Sequence, residues 1–79
     1  MPRYFFHVID GQFSVDAVGT VLADFSAMRD AAITTAGELL RDNGTRHWSG
    51  REWQMHVTDE DKRTVLKLVF SATEPLPGE

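Results

Sequence analysis

The sequence contains no cysteine, no surplus of positive charge and no long apolar run. Without cysteine the chain can form no disulfide, and its three histidines lack the thiolates of most structural zinc sites. No stretch approaches the roughly 20 apolar residues that cross a bilayer. Residues 1–7 also lack the pattern of a signal peptide. We therefore expect a cytoplasmic protein with no membrane partner and no cofactor.

The charge balance is mildly acidic. Eight Lys and Arg residues stand against twelve Asp and Glu residues, which gives a net charge of −4 and a pI near 5.2. This balance excludes general adhesion to nucleic acid or to anionic membranes, although a local basic patch is still compatible with it. A chain of 79 residues predicts one small domain. Such a domain buries only about 60% of its unfolded surface, so association is one way to add stability.

The first segment, residues 3–9, is aromatic and β-branched, which predicts a strand. Asp10-Gly11 then gives a strong turn signal, and residues 12–22 read as a second strand with a bend at Gly19. The alternation of the first strand separates two sets of side chains. One set is Tyr4, Phe6 and Val8, and the other is Phe5, His7 and Ile9. Because both sets are largely apolar, we expect a central strand that one helix cannot cover on both faces.

Asp24 is a good N-cap for a helix predicted over residues 25–42, which Asn43-Gly44 should end. The apolar stripe at helical spacing is Phe25, Met28, Ala32, Thr35, Ala36 and Leu39. After the helix the sequence predicts a loop over residues 45–51 and a third strand over 52–58. A polar turn over 59–63 and a fourth strand over 64–72 follow. Leu66, Leu68 and Phe70 should face inward.

This order predicts an α+β fold of ββαββ type. One helix should pack on one face of a four-stranded antiparallel sheet. With strand 1 between strands 2 and 3, the spatial order becomes 2-1-3-4, and the helical crossover is right-handed. Residues 1–72 should form the single domain, and residues 73–79 a flexible tail.

The opening Met-Pro-Arg-Tyr-Phe-Phe-His motif at residues 1–7 resembles a family of short bacterial proteins classed as a domain of unknown function. Further matching positions are Asp10-Gly11, Asp16, Gly19, Leu22, Asp24, Thr58-Asp59-Glu60 and Phe70. The resemblance implies no catalytic residues. The sequence departs from the pattern of this family at Ala23, where members often have proline, and at Lys62, where they often have glycine. The order of elements and the alanine-rich helix are also similar to HicB-type antitoxins, but layout is a poor guide to function.

His7 and His56 lie in predicted strands and could meet if strands 1 and 3 are neighbours. One interpretation makes them metal ligands or an acid–base pair. We favour two polar residues on a half-exposed sheet face or at a subunit interface, because no oriented carboxylate is evident beside them. The acidic turn at residues 59–61 lacks the spaced ligands of a calcium loop. No nucleophile elbow or phosphate-binding glycine loop is present.

The segment from Arg41 to Trp53 interleaves basic and aromatic residues. Its arginines, Arg41, Arg46 and Arg51, are the nucleic-acid candidates, and Trp48 and Trp53 suit a protein interface or a cap on the core. Of the three interpretations of this segment, a cap on the core, a protein interface and a nucleic-acid site, the nucleic-acid site is the least favoured. Together with Phe5, His7, Ile9 and His56, the tryptophans are the interface candidates.

The sequence thus predicts a small non-catalytic binding or regulatory module. A homodimer formed through the sheet, or a complex with another protein, is the expected assembly, because an uncovered apolar face usually marks an interface. Two alternatives stay open at this point. One is an antitoxin-like regulator linked to nucleic acid, and the other is a small metal-dependent protein that uses His7 and His56.

Overall fold

The computed structural model describes residues 1–47 and 52–71, with side chains over 1–42 and 52–71. Its elements are the strands β1 (Arg3–Ile9), β2 (Phe13–Ser14) and β3 (Thr20–Val21), the helix α1 (Phe25–His47), and the strands β4 (Trp53–Thr58) and β5 (Thr64–Phe70). The described residues therefore form one helix and an antiparallel sheet, which confirms the α+β prediction.

The sheet has the order β2-β1-β4-β5, and β3 also pairs with β1. Because β2 and β3 together occupy the predicted second strand, this is the predicted order 2-1-3-4. The interruption lies at Gly19, whose φ of 77° is a left-handed conformation that glycine adopts without a steric penalty. Strand β1 is central, as its two apolar faces predicted.

Helix α1 begins where the sequence places its cap. Asp24 Oδ1 accepts a hydrogen bond from the backbone N–H of Ala27 at 2.9 Å, which satisfies one of the unpaired donors of the first turn. Met28, Ala32 and Ala36 then recur at intervals of four residues and are buried against the sheet. Because the two alanines are small, the helix axis can approach the strands closely.

The core lies between α1 and one face of the sheet. Its buried side chains within the described residues are Tyr4, Met28, Ala32, Ala36, Trp53, Met55 and Val57. Phe6, Val8, Leu66 and Leu68 pack around this cluster. The helix therefore covers the side of β1 that carries Tyr4, Phe6 and Val8, and it leaves Phe5, His7 and Ile9 on the other side. We call the side away from the helix the open face.

The predicted end of the helix is wrong. Asn43 and Gly44 lie inside α1, which continues to His47 and takes up the first part of the predicted loop. Glycine within a helix costs only about 1 kcal/mol relative to alanine, so a helix already anchored by packing can pass through it. Glycine signals a C-terminus only when its backbone adopts the left-handed conformation.

The predicted apolar stripe and last strand also need correction. Phe25 is 50% exposed and Thr35 is exposed, so the packed helix face is narrower than the spacing predicts. Strand β5 ends at Phe70, which is 44% exposed, although Leu66 and Leu68 do pack on the core.

Trp48, Arg51 and the predicted tail at residues 73–79 lie outside the described residues. No helix in the described ranges combines the length and hydrophobicity that a membrane span requires.

Candidate functional site

The open face of the sheet carries both strand histidines. His7 on β1 lies directly opposite His56 on β4, and His56 lies opposite Lys67 on β5. In the neighbouring row, Ile9 faces Gln54 and Gln54 faces Val69. Strand β2 extends this row because Phe13 pairs with Ile9. The sequence-predicted candidates Phe5, His7, Ile9 and His56 therefore do share one surface.

His7 is fixed from three sides. The backbone N–H of Asp16 donates to its Nδ1 at 3.1 Å, and its Nε2 lies 3.0 Å from the hydroxyl oxygen of Thr58. The Phe13 ring stacks on the imidazole, with 6.2 Å between ring centroids and 24° between planes. His7 thus joins the β2–β3 connection to the central strands of the sheet.

Asp16 organises that connection. Its Oδ1 accepts the backbone N–H groups of Val18 and Gly19 at 3.1 and 2.9 Å, and its Oδ2 accepts the N–H of Phe6 at 3.1 Å. Burial alone would raise the pKa of this carboxyl, but the three backbone donors stabilise its charged form. Its pKa is consequently lowered from the ordinary value of 3.8. Asp16 is a structural acceptor whose hydrogen bonds hold the turn against β1.

The hydrogen bonds to His7 determine what the ring can do. A backbone N–H can only donate, so Nδ1 of a neutral ring is the acceptor and Nε2 carries the proton. His7 must then donate to Thr58 Oγ1. In a nucleophilic triad the histidine accepts the hydroxyl proton instead, with its other nitrogen protonated toward a carboxylate. This orientation therefore does not activate Thr58 as a nucleophile.

An apolar cleft lies beside this network, at the end of the open face nearest the β4–β5 turn. It measures about 380 Å³ and is lined by Phe5, His7, Val15, Asp16, Thr58, Asp59, Glu60 and Lys62. Phe5 and Thr58 face each other across β1 and β4 and both line the cleft. The turn residues provide the charged rim.

The carboxylates of the rim already hold protein donors. Asp59 Oδ1 accepts the N–H groups of Asp61 and Arg63 at 2.9 and 3.0 Å, and Glu60 Oε1 accepts the N–H of Arg3 at 3.3 Å. The turn closes through the N–H of Lys62, which donates to the Asp59 carbonyl at 3.0 Å. The acidic turn thus stabilises a hairpin.

His56 takes a different partner from His7. Its Nε2 lies 2.9 Å from Oε1 of Gln54 on the same strand. Although the two histidines are opposite one another, within residues 1–47 and 52–71 no group of three or more His, Cys, Asp or Glu side chains is placed to hold a metal ion. The two rings alone do not supply a typical metal ligand set.

The other predicted site residues fall elsewhere. Trp53 is only 4% exposed and belongs to the core, so it presents no surface to a partner. Arg41 is exposed and pairs with Asp42 at 3.3 Å, which dilutes its charge. Arg46 lies on the last turns of α1, beyond the described side chains, whereas Trp48 and Arg51 lie outside the described residues.

Sequence reasoning missed Asp16, Thr58 and Lys62 as members of this site. The available signal was the Asp-x-x-Gly spacing of Asp16 and Gly19, which is typical of an aspartate side chain that accepts nearby backbone N–H groups. Nothing in the sequence indicates that the same turn reaches His7. That contact depends on how β3 returns to pair with β1.

Comparison with curated proteins and with solved structures gives no match. A family model described as "Domain of unknown function (DUF6894)" matches residues 3–71. This confirms the resemblance carried by the opening motif, whereas the bacterial source and the likeness to HicB-type antitoxins stay predictions. Since the match spans most of the 79 residues, the chain belongs to the DUF6894 family, a domain of unknown function.

Proposed function

We propose that the chain is a small non-catalytic binding module that forms a homodimer through the open face of its sheet. The observation that carries this proposal is the row across β2, β1, β4 and β5, which is apolar at Phe13, Ile9 and Val69 and polar at Gln54. Within it Phe13 is 60% and Val69 50% exposed, and Ile9 lies between them. No described element packs over these side chains. An exposed apolar patch of this kind typically marks an interaction surface.

The charge on this face favours a second copy of the chain as the occupant. In the two described rows of His7 and Ile9 the only full charge is Lys67, which lies on the edge strand β5, whereas Arg3 and the charged residues of the cleft lie toward the other end of the face. A long lysine side chain at an edge can keep its ammonium group in water while its stem contacts a partner. Two identical faces related by a two-fold axis can therefore meet without burying a charge that lacks a partner.

The size of the face sets the expected strength. The five strands together have 24 residues. At about 3.3 Å per residue along a strand and about 4.8 Å between strands, the whole face measures roughly 400 Å² per copy. That is about half of the area that each partner contributes to a standard stable interface. The proposed dimer is consequently weak and concentration-dependent.

The His7 network supports a binding role over catalysis. The ring donates to Thr58 and accepts from Asp16, so its polar atoms are used to position the open face. The same bonds fix the ring beneath Phe13, which is the most exposed aromatic of the face. A preformed, rigid surface loses little conformational entropy when a partner binds.

Sedimentation equilibrium tests the proposal over protein concentrations from about 10 to 500 μM, a range that suits a weak complex. The average mass of the wild type should rise from 8.9 kDa toward twice that value. Phe13→Lys should stay monomeric. Phe25→Lys is the matched control, because Phe25 is 50% exposed on the helix side, and it should associate like the wild type.

Two outcomes would contradict the proposal. One is a wild type that is strictly monomeric at the highest concentration. The other is an equal loss of association in both variants, which would place the contact elsewhere. Far-UV circular dichroism of each variant confirms that it is folded before its mass is interpreted.

A further inference from the structure

The cleft at the Thr58 end of the open face has two uncommitted hydrogen-bond donors above an apolar floor. Phe5 and Val15 provide apolar walls, and the volume of about 380 Å³ lies within the range of small-molecule sites. A mostly apolar cleft with a few convergent polar groups is the arrangement that small ligands use. The polar groups therefore decide which chemical class fits.

The first donor is the Thr58 hydroxyl. Its oxygen accepts the proton of His7 Nε2, because Nδ1 of that ring is occupied by the Asp16 N–H. Over the described ranges, the hydroxyl hydrogen of Thr58 has no acceptor. A chain of hydrogen bonds that all run in one direction, from Asp16 through His7 to Thr58, thus ends in an O–H group at the cleft.

The second donor is the Lys62 ammonium group. Lys62 lines the same cleft and, in the part of the chain that the structure describes, forms no ion pair. Its backbone φ of 64° is left-handed, a conformation that costs a lysine about 1 kcal/mol or more. Lys62 therefore adds a cation to the lining of the cleft that Thr58 also lines.

The acidic residues of the cleft do not compete for these donors. Asp16 accepts three backbone N–H groups, and Asp59 accepts two and lies near the Arg63 guanidinium. Glu60 accepts the N–H of Arg3. Each carboxylate thus holds a protein donor, and the donors of the cleft without an acceptor in the described residues are those of Thr58 and Lys62. Because three carboxylates and one ammonium group line the cleft, an anion can bind only against Lys62, and its binding should be weak.

The geometry points to a small monocarboxylate with an apolar body as the ligand of this cleft. The carboxylate accepts from the Thr58 hydroxyl and pairs with Lys62, and the body lies against Phe5 and Val15. Charge-assisted hydrogen bonds of this type are stronger than neutral ones, and the apolar contacts add the hydrophobic contribution. The four residues of this site lie outside the row of Ile9, Phe13 and Val69, although they are at the end of the same open face.

The test is a titration followed by ¹H–¹⁵N correlation spectra with 3-phenylpropionate as the probe. Its two matched probes are the neutral 3-phenylpropan-1-ol and the cationic 3-phenylpropylamine, which keep the ring and chain length. The carboxylate should give saturable shifts at residues around the cleft and bind most tightly of the three. No saturable shifts with the carboxylate up to about 10 mM, a limit that corresponds to binding of only ~3 kcal/mol, would overturn the proposal. Equal or tighter binding of the amine would overturn it as well.

The variants separate the two donors. Thr58→Val keeps the shape of the side chain but removes the hydroxyl and should weaken 3-phenylpropionate about tenfold, whereas Thr58→Ser should bind nearly as the wild type does. Lys62→Gln, at an exposed turn where folding is not at risk, should weaken binding severalfold and reduce its dependence on salt. Lys67→Gln is the matched control and should bind like the wild type.

Unchanged affinity in Thr58→Val or in Lys62→Gln would contradict the assignment. If Thr58→Val does not fold, the Lys62→Gln and Lys67→Gln pair still decides it. The Val69→Lys variant keeps this experiment distinct from the dimer proposal, because Val69 lies in the row of Ile9 and Phe13 but does not line the cleft. It should bind 3-phenylpropionate at least as tightly as the wild type.

Discussion

The backbone N–H of Asp16 donates a hydrogen bond to Nδ1 of His7 over 3.1 Å, and this contact joins the β2–β3 turn to the centre of the sheet. Asp16 therefore acts twice, with its N–H toward the imidazole and with its carboxylate toward three other backbone donors. Because the N–H fixes the tautomer of the ring, it also fixes the direction of the bond between His7 and Thr58.

The first prediction concerns this tautomer. Long-range ¹H–¹⁵N spectra recorded at pH 8 should show His7 as a single Nε2–H form, because Nδ1 is an acceptor. In Thr58→Val the same tautomer should persist, since the Asp16 N–H is still present. A predominantly Nδ1–H ring in the wild type would mean that Asp16 does not donate to it, and the proposed orientation of the Thr58 hydroxyl would then fail too.

The second prediction is that Asp16→Asn destabilises the fold at neutral pH by about 1–3 kcal/mol. Both carboxylate oxygens accept backbone N–H groups, from Phe6 on one oxygen and from Gly19 on the other. An amide can present only one oxygen, so its NH₂ must face one of these donors. Chemical denaturation at pH 7 measures the loss. Asp30→Asn, at an exposed helical site, should change stability far less.

The third prediction gives the pH dependence of that difference. The pKa of Asp16 in the folded protein lies below its ordinary value of 3.8, so folding favours the charged carboxylate. The stabilisation is therefore fully present above the ordinary pKa and is lost as the pH falls through the lower pKa of the folded state. The stability gap between wild type and Asp16→Asn should be constant from about pH 7 to 5 and should narrow below pH 3.8. A gap that widens on acidification would contradict the assigned sign.

The sequence predicts most of the fold because the signals for it are local. Alternation along residues 3–9 identifies a two-sided central strand, and Asp24 marks the start of α1 through its own side chain. The end of α1 is not predicted, because glycine only weakens a helix that tertiary packing has already stabilised. The sequence around Gly44 is therefore compatible both with a helix that ends there and with a helix that continues.

The candidate site is predicted only in part, for a different reason. Strand alternation places Phe5 and Ile9 on one face with His7, whereas the sequence leaves the position of His56 conditional on strand order and register. The pairing of β1 with β4 supplies that register. Asp16 lies in an irregular turn, where no periodicity relates a side chain to a distant strand. Its bonds to His7 and Phe6 arise only after β3 pairs with β1.

The fourth prediction compares two glycines. Gly19 has a φ of 77°, and a Cβ built there would lie 2.8 Å from the Phe5 ring and 2.9 Å from the Arg3 side chain. Gly19→Ala should therefore destabilise the protein by about 1–3 kcal/mol, from the left-handed backbone and the close contacts together. Gly37 lies in α1 with open space around its Cβ position, so Gly37→Ala should stabilise by about 0.5–1 kcal/mol. Thermal unfolding of the pair measures both signs, and a neutral Gly19→Ala would show that the turn is not held against β1.

The last prediction uses two lysines in the β4–β5 hairpin. Lys62 has a φ of 64°, which glycine adopts without a steric penalty, so Lys62→Gly should stabilise the fold by about 0.5–1 kcal/mol even though glycine adds freedom to the unfolded chain. Lys67 is in the middle of β5, opposite His56. There Lys67→Gly should destabilise by about 0.5–1 kcal/mol, because the same added freedom is not offset by any relief of strain. Both variants lose one positive charge, so the difference between their unfolding free energies isolates the backbone effect. If both variants lose stability equally, Lys62 is not held in a left-handed conformation.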